Sequence, residues 1–424
     1  MAETWNPVTL TNDTGQRLNA TYFNRIETGI DQIDVRVATL EQGNAAERTV
    51  YLGNPPAGSG LSAVLANNTD EQAKVQAALT YVDTTWGGGY VIGPVGSTVK
   101  INSGITIPNG VQLRDTILNC TGMSGTGYAV TVNDNDFAPM VNVKMDGPGK
   151  TSTVKGLAVT GTGQRFERLQ IRNFGINVDL SNNNTYINTF VACAIGESNL
   201  CVNQDFSTSG ANNSGEKTVF RDCAFFNSNT IFYVTNNQGG LFVDGCSLDY
   251  SGKMGYFSTS HVFFTNSHIE SNFVTTSSGY FFEPAFEARV AFTACNFMMG
   301  STGGEGLRYI IRPNTGPSVN GRGRVQWSNC AAYFVDTGHT GQQRFSDELL
   351  WIDPSTSAKT FETPFVSNWG PITAHPGRYQ GDTQGQATIT VSTGFSSGAQ
   401  NGQVTITAPA GVPSGQYLPV RILF

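Results

Sequence analysis

Between residues 166 and 332 one short phrase keeps returning, and it restricts the possible folds more than any other feature of the chain. Its tight copies are Phe190-Val-Ala-Cys193-Ala-Ile195, Phe220-Arg-Asp-Cys223-Ala-Phe225, Val243-Asp-Gly-Cys246-Ser-Leu248, Phe264-Thr-Asn-Ser267-His-Ile269, Phe292-Thr-Ala-Cys295-Asn-Phe297 and Trp327-Ser-Asn-Cys330-Ala-Ala332. Looser copies precede them at Phe166 to Ile171 and Leu113 to Leu118. Successive tight copies are 30, 23, 21, 28 and 35 residues apart, the range of one solenoid coil whose loops vary in length. In each copy two inward side chains flank a bend and another inward pair follows, so equivalent residues stack on neighbouring coils about 4.8 Å apart. The pattern predicts an all-β chain whose body is a right-handed parallel β-helix.

The same register accounts for the cysteines. Five of the seven (Cys193, Cys223, Cys246, Cys295 and Cys330) fall in a single interior ladder, and Ser267 takes the sixth place. Small polarizable thiols suit the tight corner of a coil. No CxxC pair is present and only 4 His accompany them, so they read as reduced, buried thiols rather than metal ligands, disulfides or nucleophiles. Such usage fits synthesis in a cytosol.

Composition narrows the function. With 49 Gly, 39% hydrophobic and 13% charged residues, the chain is a large, loop-rich β protein and not a disordered one. A net charge of −7 lacks the basic excess that nucleic acid or an anionic membrane would demand. Neither a leader-like start at Met1 to Trp5 nor a run of about 18 apolar residues occurs, so no membrane insertion is expected.

Three segments follow from the pattern: an N-terminal stub at 1–50, the β-helix at 51–353 and a small antiparallel β domain at 354–424. In the stub, Phe23, Ile26, Ile30, Ile33, Val37 and Leu40 form an a/d heptad seam, and Ile at both kinds of position favours a trimeric coil. The alternative is an amphipathic helix lying on another surface. The Gly53 to Gly60 joint breaks regular structure, Asp70 to Thr80 reads as a short helix with Val75 and Leu79 on one face, and short strands follow. Beyond residue 354, Ala387 to Val391, Val404 to Ile406 and Leu418 to Ile422 alternate apolar and polar residues between Gly/Ser turns.

A Gln/Ala-rich helix, then Gly87-Gly88-Gly89 with a short apolar strand, then Ile107-Pro108-Asn109-Gly110-Val111 resembles the opening of pectate-lyase-like phage tailspikes. Leu18-Asn19 and Ile26-Glu27-Thr28-Gly29-Ile30 resemble the segment with which many tail proteins begin. The resemblance covers about the first third of the chain. It implies a homotrimeric component of the phage tail in the virion, attached through its N-terminal stub to other tail or baseplate proteins, with host surface polysaccharide as its partner. It also implies a C-terminal domain that helps trimerise the spike or binds sugar.

Alternation puts the residue after each Cys position, and the third one after it, on the outside. The outer face then carries Ala224 and Phe226, Ser247 and Asp249, His268 and Glu270, Asn296 and Met298, and Ala331 and Tyr333 on successive coils. Asp249, His268 and Glu270 become neighbours. Carboxylates on adjacent coils have Cα atoms roughly 5 Å apart, and splay can bring the carboxyl groups to the separation of about 5 to 5.5 Å that retaining glycosidases use. Asp249 and Glu270 are the candidate catalytic acid and base, with His268 able to tune either. The alternative is an ordinary solvated patch. Asp222 and Asp244 fall at or near the bend, and Phe281 to Glu287, with Glu283 and Glu287, reads as a loop between coils. An inverting pair across a subunit groove is a further arrangement.

The long connection before Trp327 holds Arg308, Arg312, Arg322 and Arg324, which could grip an anionic sugar bidentately or neutralise Glu283, Glu287 or Glu305. Phe226, Tyr250 and Tyr333 could offer flat faces to sugar rings or pack beneath loops. No zinc spacing, Walker loop, nucleophile elbow or EF-hand loop is present, so no cofactor or metal is expected, and clustered carboxylates for a cation cannot be placed. Three functions stay open: glycan recognition during adsorption, polysaccharide depolymerisation by hydrolase or lyase chemistry, and a purely architectural role.

Overall fold

The computed structural model describes residues 48–64, 69–94, 96–133, 138–182, 185–205, 215–235, 240–258, 260–273, 280–285, 288–301, 309–311, 324–336 and 339–352, with the strands Leu10–Thr11, Arg17–Leu18, Lys359–Thr363, Thr373–Pro376, Thr390–Phe395, Gly402–Thr407 and Leu418–Leu423. The chain divides into two units, Met1–Thr49 and Val50–Phe424. In the first, Leu10–Thr11 pairs antiparallel with Arg17–Leu18. The heptad residues Phe23, Ile26, Ile30, Ile33, Val37 and Leu40 lie outside the described residues.

The second unit is built of coils, each contributing three strands, as in Thr218–Arg221, Ala224–Phe226 and Thr230–Thr235. Every coil pairs in parallel with the next, and the repeated phrase sets the register. Phe166, Phe190, Phe220, Val243, Phe264, Phe292 and Trp327 face one another in file. Ile171, Ile195, Phe225, Leu248, Ile269, Phe297 and Ala332 make a second file. The third strand of each coil joins a nine-stranded sheet in which neighbouring coils lie side by side. This is a parallel β-helix, and its buried apolar residues form one continuous cluster from Val50 to Cys330.

The bend is a single residue in the left-handed region, immediately before the cysteine position. Ala192, Asp222, Asn266, Ala294 and Asn329 have φ between 50° and 53°, and Gly245 has φ 63°. One such residue turns the chain sharply while the ladder of backbone hydrogen bonds continues around the corner, as in Asp222 N to Asp244 O (3.0 Å) and Ala224 N to Cys193 O (2.8 Å). Asn, Asp and Gly adopt this conformation most readily, which is why they recur here. The next residue points inward, and the sulfur ladder follows. Cys193 N donates to Cys223 Sγ (3.4 Å), Cys223 N to Cys246 Sγ (3.4 Å) and Cys246 N to Ser267 Oγ (3.2 Å). All seven cysteines are free and buried.

A second corner follows the second strand in several coils, at Asn173, Glu197, Asn227 and Tyr250, with φ from 47° to 62°. Behind three of them a serine ladder mirrors the cysteines: Ser198 N donates to Ser228 Oγ (3.1 Å), and Ser228 N to Ser251 Oγ (3.3 Å). Between the corners the interior is filled by stacked rings. Phe190 lies parallel to Phe166 at 4.6 Å and to Phe220 at 4.7 Å.

The first coil is closed by a helix, Gln72–Trp86, longer than the expected Asp70 to Thr80 because Tyr81 and Trp86 pack edge to face at 5.2 Å on its last turns. It buries Val75, Ala78, Leu79 and Val82. Its Gln76 side chain takes the place of a strand: Thr106 N donates to Gln76 Oε1 (2.7 Å) and Gln76 Nε2 to Thr106 O (3.1 Å). The three glycines after it have φ of 64°, 136° and 146°, and a Cβ on Gly88 would stand 2.7 Å from the Gly110 carbonyl oxygen, so the close approach of the two turns needs glycine. At the other end, Arg324–Asp336 pairs in parallel with the preceding coil and antiparallel with His339–Ile352. Antiparallel pairing thus starts ahead of residue 353. It continues through Leu418–Leu423 and Thr373–Pro376, while Lys359–Thr363, Gly402–Thr407 and Thr390–Phe395 form a separate antiparallel sheet.

Candidate functional site

The strands after the cysteine corner carry the outer strip expected from alternation. Ser247 faces His268, which faces Asn296 and then Ala331, and Glu270 faces Met298, which faces Tyr333. On the other side of the carboxylates, Phe226 faces Asp249. Asp249, His268 and Glu270 are half-buried and Met298 is 37% exposed.

The register is not uniform here. Leu248 faces Ile269 and Ser251 faces Ser271, so Asp249 and Tyr250 together stand opposite the single residue Glu270. This is a bulge of two residues against one, a device that re-aims side chains beside functional sites. It arises because the coil of Tyr250 has the second corner and the coil of Glu270 runs straight through as His268–Phe273. Tyr250 occupies that corner at φ 48° and is 55% exposed.

The chemistry-bearing atoms converge. Asp249, His268 and Glu270 each offer one ligand atom within 4.8 Å of the others. His268 Nε2 stands 3.8 Å from Glu270 Oε2. Ser247 Oγ lies 2.9 Å from both Asp249 carboxylate oxygens and donates to that carboxylate from the same strand face. Two carboxylates this close, with an imidazole beside them and solvent access, can accept sugar hydroxyls or act as an acid and a base. The repeat phase places this trio together without assigning it to a cation. The trio could supply a cation with one nitrogen and two oxygen donors, fewer than the six to eight oxygens that calcium takes.

The other candidates separate. The Phe226 ring lies over Gly196, where an added Cβ would stand 2.7 Å from ring carbons, so it packs on the neighbouring coil and remains half-buried. Tyr333 shares the strip by register. Arg324 belongs to a different column, facing Arg289, which faces His261, on the strand before the cysteine corner. Arg308, Arg312 and Arg322, with Glu287 and Glu305, lie outside the described residues. Glu283 is not in a loop: Tyr280–Ala285 is a strand, with Glu283 facing Tyr256 and Pro284 facing Phe257. Asp244 is engaged at the corner, accepting from Thr265 Oγ at 2.7 Å with Arg221 at 3.7 Å. Reasoning from sequence missed the role of Ser247 and the position of Tyr250. The Ser-x-Asp spacing on one strand face is the signal for the first, and the Asn at the equivalent place in two of the three other copies is the signal for the second.

A second polar cluster is structural. Asp179, wholly buried, accepts from Lys155 Nζ (2.8 Å), Tyr128 OH (2.8 Å), Ser181 N (3.1 Å) and Asn203 Nδ2 (3.1 Å). Burial pushes its carboxyl up, but the Lys155 and Ser181 hydrogen bonds, the Lys155 charge and the Tyr128 hydroxyl outweigh burial and hold it below the usual aspartate value. Its lone pairs are all spoken for by the fold, which leaves nothing for a substrate.

No family model matches the sequence, and no curated protein matches it. Among solved structures, the chain is similar to the tailspike protein of Acinetobacter phage vB_ApiP_P1, with TM-score 0.41 and 10% identity over 88% of this chain and 87% of that one. It is similar to the endo-xylogalacturonan hydrolase of Aspergillus tubingensis, with TM-score 0.35 and 13% identity over 68% and 91%. It is also similar to a tailspike variant of E. coli bacteriophage HK620 in complex with hexasaccharide, with TM-score 0.35 and 11% identity over 90% and 94%. These are likenesses at low identity, and the parallel β-helix itself stands on the strand register of this chain.

Proposed function

We propose that the chain is a phage tailspike or tail fibre that recognises a host surface glycan on the outer strip of its β-helix. The convergence of Asp249, His268 and Glu270 within 4.8 Å, beside Tyr250, Phe226 and Met298, carries this reading. Polar acceptors next to apolar faces are what a pyranose requires: hydroxyls on its rim and C–H groups on its face. The opening motifs at Gly87 to Val111 and in the stub support the placement in a tail.

In this reading residues 1–50 attach to other tail or baseplate proteins, and Phe23, Ile26, Ile30, Ile33, Val37 and Leu40 hold three chains together. Residues 51–353 form the recognition body, and 354–424 a β domain that strengthens the trimer or binds sugar. Arg308, Arg312, Arg322 and Arg324 engage an anionic unit of the glycan, and Tyr333 extends the strip. No cofactor takes part.

The proximity of the two carboxylates, one oxygen of each within 4.8 Å of the other, supports a second reading, in which the bound glycan is also cleaved by hydrolase or lyase chemistry with Asp249 and Glu270 as acid and base. One experiment separates the readings. Purified chain is incubated with surface polysaccharide of an authentic host while binding and new reducing ends or unsaturated products are followed. Binding without new ends supports recognition alone, new ends support cleavage, and neither leaves an architectural role.

A further inference from the structure

Tyr250 stands where the fold prefers another residue. The corresponding corner is Asn173, Glu197 and Asn227 in the three preceding coils, and asparagine, which holds two of them, reaches the left-handed region with little strain. A bulky side chain at φ 48° crowds its own backbone. Packing does not compensate for it, because at 55% Tyr250 is the most exposed large apolar side chain among the described residues, and its hydroxyl makes no hydrogen bond there. On one side the Asn227 amide donates to Asp249 O (3.1 Å). On the other, the coil of Glu270 has no corner residue, so no counterpart stacks above it. A strained residue held without structural reward, next to Asp249 and across the bulge from Glu270, is the mark of a site retained for what it contacts.

Resting on the glycan reading above, we propose that Tyr250 is the stacking platform of the central sugar subsite, and that this subsite takes an uncharged pyranose. One sugar face lies on the phenol ring while its hydroxyls donate to Asp249 and Glu270. An ionised carboxylate only accepts hydrogen bonds, so a uronate or sialate carboxyl at this point would be repelled by both. Charged units of the polymer then fall to either side.

The test uses the full chain and its Tyr250→Asn and Tyr250→Phe variants, against a panel of purified neutral and acidic bacterial capsular and O-antigen polysaccharides. Expected are a Tm raised by a few degrees in Tyr250→Asn, affinity about tenfold weaker, and near-native affinity in Tyr250→Phe. The polysaccharides bound by wild type should contain a neutral hexose. If wild type binds a polymer and Tyr250→Asn binds it equally well, this assignment is overturned while the glycan reading stands. A Tyr250→Asn variant that melts lower overturns the argument from strain. Binding only to polymers in which every unit is charged overturns the choice of sugar, and no binding by wild type to any member removes the glycan reading and this inference together.

Discussion

Phe190 and Phe220 stack face to face with ring centroids 4.7 Å apart and planes 15° from parallel, and both are fully buried. Phe166 covers the other face of Phe190 at 4.6 Å. Truncating the middle ring leaves a cavity between two coils whose backbones are tied by the parallel ladder and cannot collapse. Phe190→Ala should lose about 3–5 kcal/mol, against under about 1.5 kcal/mol for a volume-conserving Phe190→Leu if the neighbours repack. Denaturant melts of both variants check the difference.

The Lys155–Asp179 pair should shape both limbs of the pH–stability curve. The Asp179 carboxyl lies below its ordinary value in the folded chain, so its stabilisation is complete above about pH 4 and is lost as pH falls through the lower folded value. Burial lowers the Lys155 ammonium, but the hydrogen bonds and charge of Asp179 and Tyr128 raise it further than burial depresses it. Its stabilisation is therefore complete below about pH 10 and lost as pH rises through the higher folded value. Asp179→Ala should cost about 3 kcal/mol at neutral pH. It should also flatten the acid limb, as measured by urea melts from pH 3 to 7.

The thiols should be silent in the native chain. Burial pushes Cys201 up to about 11, against its hydrogen bonds with Ser228 and Ser198. The neighbouring Cys193 thiol, with burial behind it, pushes Cys223 up to about 12. Hydrogen bonds with the neighbouring thiols act the other way at Cys330, lowered to about 7 beside Cys295, and at Cys193, lowered beside Cys223, so silence rests on burial: at pH 8 a disulfide reagent should find no access to the native chain, then label all seven on unfolding. Labelling would then report the opening of the coils, and rapid labelling of the native chain would contradict the ladder.

At the outer strip, Asp249→Asn and Glu270→Gln test the second reading. If wild type cleaves glycan, each substitution should lower the rate by about 10²–10⁴-fold with affinity little changed. A chelator should leave wild-type cleavage and binding intact. Loss with chelator and recovery with added divalent cation would reassign Asp249, His268 and Glu270 as metal ligands.

The coil body was legible because its rule is written once per turn: an aromatic, a bend and a thiol recur in phase, and phase is all that register needs. The Asp249–His268–Glu270 grouping followed from that phase. The bulge did not, because alternation assumes equal residue counts on facing strands. Ser228 comes four residues after Ala224 and Ser251 four after Ser247, whereas Ser271 comes only three after His268, and that count reveals the missing residue. Glu283 escapes a reading by pattern because Glu-Pro resembles a break, whereas the strand that starts at Tyr280 runs on through Pro284, which faces Phe257. Arg324 groups with the other arginines by proximity in sequence, yet the cysteine corner puts it on another column.

The Gln76 side chain reaches beyond sealing a core. Parallel strands stacked at a fixed rise are a ready template for accretion, since any exposed rung can recruit an extended peptide. By occupying both the amide and the carbonyl of Thr106, one glutamine gives the nine-stranded sheet a defined first rung and takes up the backbone pair that an added peptide would use there.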